Sequence, residues 1–124
     1  MVEPFVGARQ GTRLAWQHAR YLRRFSAAVR RIAGFQFRRV QQGLDPNDWK
    51  PMSSVGAGVR EVRLHIDGEY RVFYIATFAE AVYVLHAFEK KTQKTAGRDL
   101  QVGRERFRAL VAMRRKSDGF KKPR

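Results

Sequence analysis

The sequence contains no cysteine, which excludes a disulfide framework and thiolate metal sites. Its three histidines, His18, His65 and His86, lack the spacing of a zinc site, so we predict no metal and no other cofactor. No apolar run is long enough to span a bilayer. The first residues also lack the basic start and apolar stretch of a signal peptide. We therefore expect a cytoplasmic protein with no membrane partner.

Acidic residues are scarce: 11 Asp and Glu stand against 26 Lys and Arg, a formal net charge of +15. A domain with this imbalance repels itself unless a polyanion is near, and nucleic acid is the usual partner. The excess lies at the two ends of the chain. It is +7 in residues 1–50, +1 in 51–100 and +7 in 101–124. The middle of the chain therefore forms a nearly neutral module between basic flanks.

The chain is long enough for one packed domain, and 44% of its residues are hydrophobic. We assign residues 1–116 to this domain and predict that the basic segment 117–124 is a disordered tail. The clearest helix spans 26–42, with Ser26 as N-cap and Gly43 as the stop signal. Apolar residues at helical spacing, such as Val29, Ala33 and Phe37, indicate one buried stripe. A second helix is predicted from about residue 95 to about residue 115.

Three strands are predicted between these helices, over 60–66, 70–76 and 81–88. Asp67-Gly68 predicts a two-residue hairpin turn between the first two strands. The segment 44–51 contains two prolines and is interpreted as a connector. Residues 4–6 are the candidate for an N-terminal edge strand. The predicted fold class is α+β: a twisted antiparallel sheet, made of a three-strand meander plus this edge strand, flanked by helices.

This central region carries several distinctive sequence motifs. They are DWKPM at 48–52, REVR at 60–63, YRVFY at 70–74 and LHAFEKK at 85–91. In these motifs the chain resembles the phage-derived HigB-like branch of the RelE/ParE toxin superfamily. The resemblance covers roughly residues 25–107. The first 24 residues fit it poorly, and Gly103 stands where family members tend to carry a better helix former.

The resemblance implies a compact RelE-like fold and an mRNA interferase of a type II toxin–antitoxin system. Such a toxin cleaves mRNA on the translating ribosome, so mRNA and ribosomal RNA would be its nucleic-acid partners. The implied protein partner is a helix-turn-helix antitoxin. The basic flanks would then supply affinity for ribosomal RNA that weakens with salt and carries no sequence choice.

RNA cleavage without a metal needs a base for the 2′-OH, an acid for the leaving oxygen and cations for the developing charge. We predict that the catalytic residues are Arg71, His86, Lys90 and Lys91. His86 titrates near neutrality, although a histidine in an apolar strand is also typical of a hydrogen-bonded core residue. Arg71 is the one charge in an apolar strand, so it either meets phosphate or pairs with a carboxylate such as Glu61.

The predicted RNA-binding residues are Arg60, Arg63, Lys94 and Arg98. Arg60 and Arg63 flank Glu61 and could instead be cross-strand partners of Glu69. The lysine-rich loop at 89–96 could instead be an ordinary solvated loop.

Tyr74 and Tyr83 are expected in the core because aromatic residues at strand spacing usually pack there. Two other functions stay open: a ParE-like toxin that poisons DNA gyrase without cleaving RNA, and an inactive nucleic-acid-binding remnant.

Overall fold

The computed structural model describes residues 5–7, 22–78 and 81–121, with the side chains of 5–7 and 117–121 left aside. Among these residues there are two helices and five strands. In chain order they are β1 (Phe5–Gly7), α1 (Ala27–Gln41), β2 (Trp49–Pro51), β3 (Val59–His65), β4 (Glu69–Ile75), β5 (Val82–Glu89) and α2 (Gly97–Lys121).

Helix α1 begins and ends where its sequence signals predicted. Ser26 is the N-cap, and its Oγ accepts a hydrogen bond of 3.2 Å from the Val29 amide. The chain leaves the helix at Gly43, whose φ of 85° suits a residue without a side chain. Val29 and Phe37, two members of the predicted stripe, are 2% and 0% exposed. The stripe therefore anchors α1 to the sheet.

The five strands form one antiparallel sheet in the order β1-β5-β4-β3-β2. The meander and the N-terminal edge strand are confirmed, the latter by pairing of Phe5 with Val84. The prediction that 44–51 is only a connector was wrong, because Trp49–Pro51 pairs with β3. Proline is tolerated in an edge strand, where it removes no needed donor. The guanidinium of Arg60 also covers the Trp49 ring at 4.0 Å and fixes this edge.

The hairpin between β3 and β4 lies where it was predicted but has a longer turn. His65 pairs with Glu69, so the loop has three residues, Ile66 to Gly68, rather than two. Asp67 and Gly68 both have positive φ, 51° and 143°. The two residues that signalled the turn therefore do make it, with Ile66 added before them.

Each face of the sheet is covered by one helix, which gives three layers. On one face, Val62, Val72 and Val84 pack in a buried cluster with the inner side of α1. On the other face, Phe73, Ile75 and Leu85 pack with Leu110 of α2. Tyr74 and Tyr83 are both buried in these clusters, as expected. The architecture confirms the predicted α+β class and is consistent with a small RelE-like fold.

Helix α2 approaches the sheet closely at Gly103. A Cβ built on Gly103 would lie 2.8 Å from Cδ2 of Phe73 and 3.1 Å from Cγ1 of Val55. This explains why the helix carries glycine where a better helix former was expected, because only a residue without a side chain leaves room for Phe73 and Val55. The helix also runs beyond residue 115 to Lys121, into the segment 117–124 for which disorder was predicted.

A β-bulge in β5 changes which residues face α2. The register moves from Phe73 opposite His86 to Tyr74 opposite Val84, so Leu85 is the extra residue. Leu85 and His86 consequently both lie on the α2 side, and Phe88 follows on the same side. Without the bulge, alternation from Leu85 would turn His86 toward α1. This irregularity places the histidine on the face that carries the candidate site.

Candidate functional site

Charged side chains occupy the end of the α2-facing side of the sheet that lies toward the β3–β4 hairpin. Residues that pair across antiparallel strands share a face. Three rows of partners result, and each crosses β3, β4 and β5 in that order. The rows are Glu61–Phe73–His86, Arg63–Arg71–Phe88 and His65–Glu69–Lys90, the last closed by a 2.7 Å bond from the Lys90 amide to the Glu69 carbonyl.

His86 is held by two residues of α2. Its Nε2 lies 2.8 Å from Asp99 Oδ1, and its Nδ1 lies 3.4 Å from an Arg106 guanidinium nitrogen that also donates to the Leu85 carbonyl at 2.9 Å. Arginine can only donate, so Nδ1 is the acceptor and the ring proton sits on Nε2, where it is donated to Asp99. The ring stacks on Phe88 with centroids 5.0 Å apart.

Burial keeps His86 neutral. Its side chain is 8% exposed, and desolvation lowers the pKa of His86, with the nearby positive charges of Arg106 and Arg24 acting in the same direction. The hydrogen bond to Asp99 opposes this shift. His86 is therefore an uncharged donor to Asp99, and both ring nitrogens are already engaged.

Arg71 is buried beside two carboxylates. Its guanidinium NH1 donates to Glu69 Oε1 at 3.0 Å and to the Tyr70 carbonyl at 3.1 Å. Its Nε lies 3.8 Å from Glu61 Oε1, and the same oxygen lies 3.4 Å from Nε of Arg63. Glu61 is 1% exposed. Arg71 therefore pairs with carboxylates and also lines a cleft, and its contact with phosphate stays a prediction.

His65 connects the hairpin to the strand β2 edge. Its Nε2 lies 2.6 Å from Asp48 Oδ2, and its Nδ1 lies 2.8 Å from Oε1 of Glu69, the oxygen that also accepts from Arg71. Hydrogen bonds that the His65 ring donates to Glu69 and Asp48 raise the pKa of His65 and favour its charged form. The contacts with His65 and Arg71 in turn lower the pKa of Glu69.

Two clefts open at this end of the molecule. The first, called here the lysine-loop cleft, has a volume of about 400 Å³ and is lined by Glu69, Arg71, Lys90, Lys91, Thr92 and Gln93. The second, called here the Asp99 cleft, has a volume of about 420 Å³ and is lined by Arg24, Phe25, Phe88, Glu89, Lys91, Arg98 and Asp99. Lys91 lines both clefts and is called here their junction.

The structure brings most of the predicted catalytic residues together. Arg71, Lys90 and Lys91 share the lysine-loop cleft, and Arg98 lines the Asp99 cleft together with Lys91. His86 does not line either cleft; it lies behind Asp99.

The other predicted RNA-binding residues are more scattered. Arg63 pairs with Arg71 in the sheet and is 31% exposed. Lys94 is exposed in the loop that precedes α2. Arg60 pairs with Tyr74, which faces α1, so Arg60 lies on the opposite side of the sheet, bound to Asp45 at 3.0 Å. Arg60 therefore does not form one continuous surface with Arg63, Lys94 and Arg98.

Sequence reasoning missed Asp99, Arg106 and Arg24. Asp99 is the acidic residue in the first turn of α2, a position that a helix dipole favours, and this signal was available. Arg24 donates to the Ala87 carbonyl at 2.9 Å, and Arg106 makes the corresponding bond to Leu85. These two arginines satisfy carbonyls of β5 beyond its pairing with β1, and nothing in the local sequence indicated that.

Within the described part of the chain, no group of three or more ligating side chains could hold a metal ion. No helix there is both long enough and apolar enough to cross a bilayer.

Comparison with known proteins gives one family. The family model for "Phage derived protein Gp49-like (DUF891)" matches residues 20–108, well over half of the chain. No curated protein gives a significant match. No solved structure does either. The match begins before α1 and ends within α2, so it includes both clefts and every residue that lines them. Members of this phage-derived family are toxin-like, and they imply an antitoxin partner. The chain belongs to the Gp49-like family, one of the RelE/HigB-like toxin families.

Proposed function

We propose that this protein is the toxin of a type II toxin–antitoxin system and a cytoplasmic mRNA interferase that cuts mRNA on the ribosome. The observation that carries the proposal is the junction of the two clefts at Lys91. Among the described residues, five cations line the two clefts: Arg24, Arg71, Lys90, Lys91 and Arg98. The acidic residues of the same linings are Glu69, Glu89 and Asp99, so the described linings carry an excess of positive charge that attracts a phosphodiester.

The lysine-loop cleft suits a phosphate. Arg71 lines this cleft and donates hydrogen bonds to Glu69 and to the Tyr70 carbonyl, so its guanidinium is already oriented before RNA binds. Preorganised donors stabilise developing charge better than mobile ones, because they need no rearrangement during the reaction. Lys90 is half-buried at the same cleft, whereas the Lys91 side chain is 77% exposed. Arg71 therefore orients the phosphate, and the lysines neutralise it.

The chemistry is an attack of the 2′-OH on the adjacent phosphorus. A bond forms between the 2′ oxygen and phosphorus, the bond from phosphorus to the 5′ oxygen breaks, and a 2′,3′-cyclic phosphate and a 5′-OH result. The cations around Lys91 offset the charge that develops on the phosphate oxygens. Lys90 or Lys91 supplies the proton to the leaving 5′ oxygen. His86 acts through Asp99 and does not touch the RNA.

The partner of such a toxin would be a helix-turn-helix antitoxin, which implies that a short reading frame for one lies beside this gene. Arg63, Lys94 and Arg98 would contact the message around the junction. The basic outer part of α2, including Arg108, Arg115 and Lys116, would add affinity for ribosomal RNA that falls as salt rises.

The test is primer extension on a defined message bound to purified ribosomes. We expect the parent protein to cut in the ribosomal A site. Lys91→Ala should cut at least about a hundredfold more slowly, because losing one donor to the charge that develops on the phosphate costs roughly 10²–10³ in rate. Lys50→Ala, which removes an exposed lysine from β2, is the matched control and should cut like the parent. Absence of any cut by the parent protein would overturn the proposal, and DNA cleavage complexes with gyrase would then favour a ParE-like toxin.

A further inference from the structure

We propose that Asp99 is the group that accepts the 2′-OH proton, which makes it a catalytic residue, and that His86 is a positioning residue behind it. This inference rests on the proposed function, because it names the base of that same reaction. It also reverses the roles that the sequence suggests, since His86 is the residue with the more obvious titration range.

The hydrogen bonds of His86 exclude it as the base. Nε2 donates to Asp99 and Nδ1 accepts from Arg106, so neither nitrogen offers a lone pair to a substrate hydroxyl. The ring is also stacked against Phe88 and is 6.2 Å by centroid from Phe73. For the imidazole to receive a proton from RNA, the Arg106 contact would have to break inside a packed layer. The geometry therefore removes His86 from direct contact with the message.

Asp99 lies where a ligand can reach it. Its side chain is 16% exposed and lines the Asp99 cleft, so it is the acceptor of the pair that a ligand can reach. One carboxylate oxygen, Oδ1, accepts the His86 proton at 2.8 Å. The described residues place no hydrogen bond on the other oxygen, Oδ2. A general base must reach the proton that it abstracts, and Oδ2 is the oxygen of Asp99 that is available for this.

The helix dipole offers a competing explanation for the position of Asp99. An acidic residue in the first turn of a helix is stabilised by the helix dipole, and that alone could explain Asp99. The dipole does not explain why a bulge in β5 turns His86 toward it or why Arg106 fixes the ring's other nitrogen. Strand β5 and helix α2 thus both contribute to holding one carboxylate at the wall of a basic cleft.

This assignment also orients the RNA. The ribose whose 2′-OH attacks must lie at Asp99, in the cleft that Phe25 and Phe88 also line, where its base can contact an aromatic ring. The scissile phosphate then lies at Lys91, which both clefts share. The leaving nucleotide lies in the lysine-loop cleft, where Lys90 donates a proton to its 5′ oxygen. The proton taken from the 2′ oxygen goes to the Asp99 carboxylate, so the step is balanced.

The experiment measures single-turnover cleavage of ribosome-bound mRNA by Asp99→Asn, an isosteric change that leaves an oxygen to accept from His86. We expect the rate to fall by roughly 10²–10⁴ while affinity for the ribosome–mRNA complex stays the same. The remaining rate should rise about tenfold for each pH unit, because hydroxide then has to replace the base. A purely structural role for Asp99 would not produce that dependence on hydroxide.

Glu105→Gln is the matched control, because Glu105 is an exposed glutamate of the same helix that lines neither cleft and the change removes the same charge. It should cut within about threefold of the parent, since it removes no proton acceptor from the clefts. If Asp99→Asn fails to fold, the double variant Asp99→Asn/His86→Asn replaces the pair by two amides and is compared with His86→Asn alone. A rate equal to that of the single variant would overturn the inference.

The outcomes distinguish a failure of the Asp99 assignment from a failure of the proposed function. If the parent protein cuts and Asp99→Asn cuts equally well, Asp99 is not the base and the proposed function stands. If the parent protein does not cut at all, the proposed function fails first.

Discussion

The α2-facing side of the sheet has two ends that differ in how they are closed. At one end, Phe73 and Leu85 lie beneath α2, and His86 is enclosed with them. At the other end, beyond the first turn of α2, His65 and Glu69 are about half exposed beside the lysine-loop cleft. Each end holds one histidine with carboxylates nearby, so the two ends compare the same chemistry with and without cover.

Burial of the side chain, more than the presence of a carboxylate, therefore decides whether each of these two histidines is charged. Both histidines hydrogen-bond to a carboxylate. His65 has two such partners and little desolvation, so its pKa is raised. His86 has one such partner, and its pKa is lowered because burial outweighs the bond to Asp99. The open end therefore carries charge for binding, and the closed end carries a neutral donor that positions another group.

The largest effect is expected at the boundary between the two ends, where Glu61 is buried between Arg63 and Arg71. We predict that Glu61→Ala destabilises the fold by roughly 3 kcal/mol, because it removes the buried carboxylate beside Arg71 and leaves this buried cation with only the half-exposed Glu69 as its ion-pair partner. Urea unfolding followed by circular dichroism measures this.

Two variants make that result specific. Glu105→Ala, which removes an exposed glutamate from α2, should change the stability by less than about 0.5 kcal/mol. The double variant Glu61→Leu/Arg71→Met should recover part of the loss, since an apolar pair can replace a buried ion pair. If Glu61→Ala were as stable as Glu105→Ala, the carboxylate would not hold the boundary together.

A smaller effect is expected at the closed end, where α2 touches the sheet through Gly103. Alanine suits a helix better than glycine by about 1 kcal/mol. A Cβ at this position, however, would lie 2.8 Å from the Phe73 ring, and overpacking costs roughly 1–3 kcal/mol. We therefore predict that Gly103→Ala is destabilising by about 1 kcal/mol, as measured by thermal unfolding.

Gly97, at the start of the same helix, is the matched position. A Cβ there would meet nothing within 4 Å, so Gly97→Ala should be neutral or stabilising by up to about 1 kcal/mol. If both substitutions stabilised the protein equally, the helix would not be held at its observed distance from Phe73.

The main elements could be predicted from the sequence because each had a local signal. Ser26 and Gly43 mark the ends of α1, and Asp67-Gly68 marks the hairpin. Strand β2 was missed, because a three-residue edge strand that ends in Pro51 has no periodicity and depends on Arg60 from the next strand. The structure also supplies the reason for Gly103, which is a distance between two elements rather than a property of the helix.

The candidate site could be predicted only in its composition. Arg71, Lys90 and Lys91 stand out as charges in or after apolar strands, and they do share a cleft. The pairing of His86 with Asp99 depends on the bulge at Leu85 and on the docking of α2, and neither is written in a local pattern. Arg60 shows the reverse error: it lies close to Arg63 in sequence, yet strand alternation sends it to the other face.

The smallest effect is a difference in pH dependence between the two histidines, and it has opposite signs at the two ends. The raised pKa of His65 means that the folded protein binds its proton more tightly than the unfolded chain does. His65 therefore contributes stability below about pH 6.5, and this contribution is lost as the pH rises through its folded pKa. The lowered pKa of His86 has the opposite consequence: its contribution is present above about pH 6.5 and is lost as the pH falls.

We predict that His65→Gln is closer in stability to the parent at about pH 8 than at about pH 5, and that His86→Asn is closer to the parent at about pH 5. The His65 effect should stay under about 1 kcal/mol, because its side chain is 51% exposed and solvent screens its ion pairs. Urea unfolding of the parent and both variants across this range provides the measurement, and His18, present in all three, cancels in the differences. Curves that run parallel for the two variants would mean that cover does not separate the two histidines. The neutral His86 on which the assignment of Asp99 depends would then have lost its support.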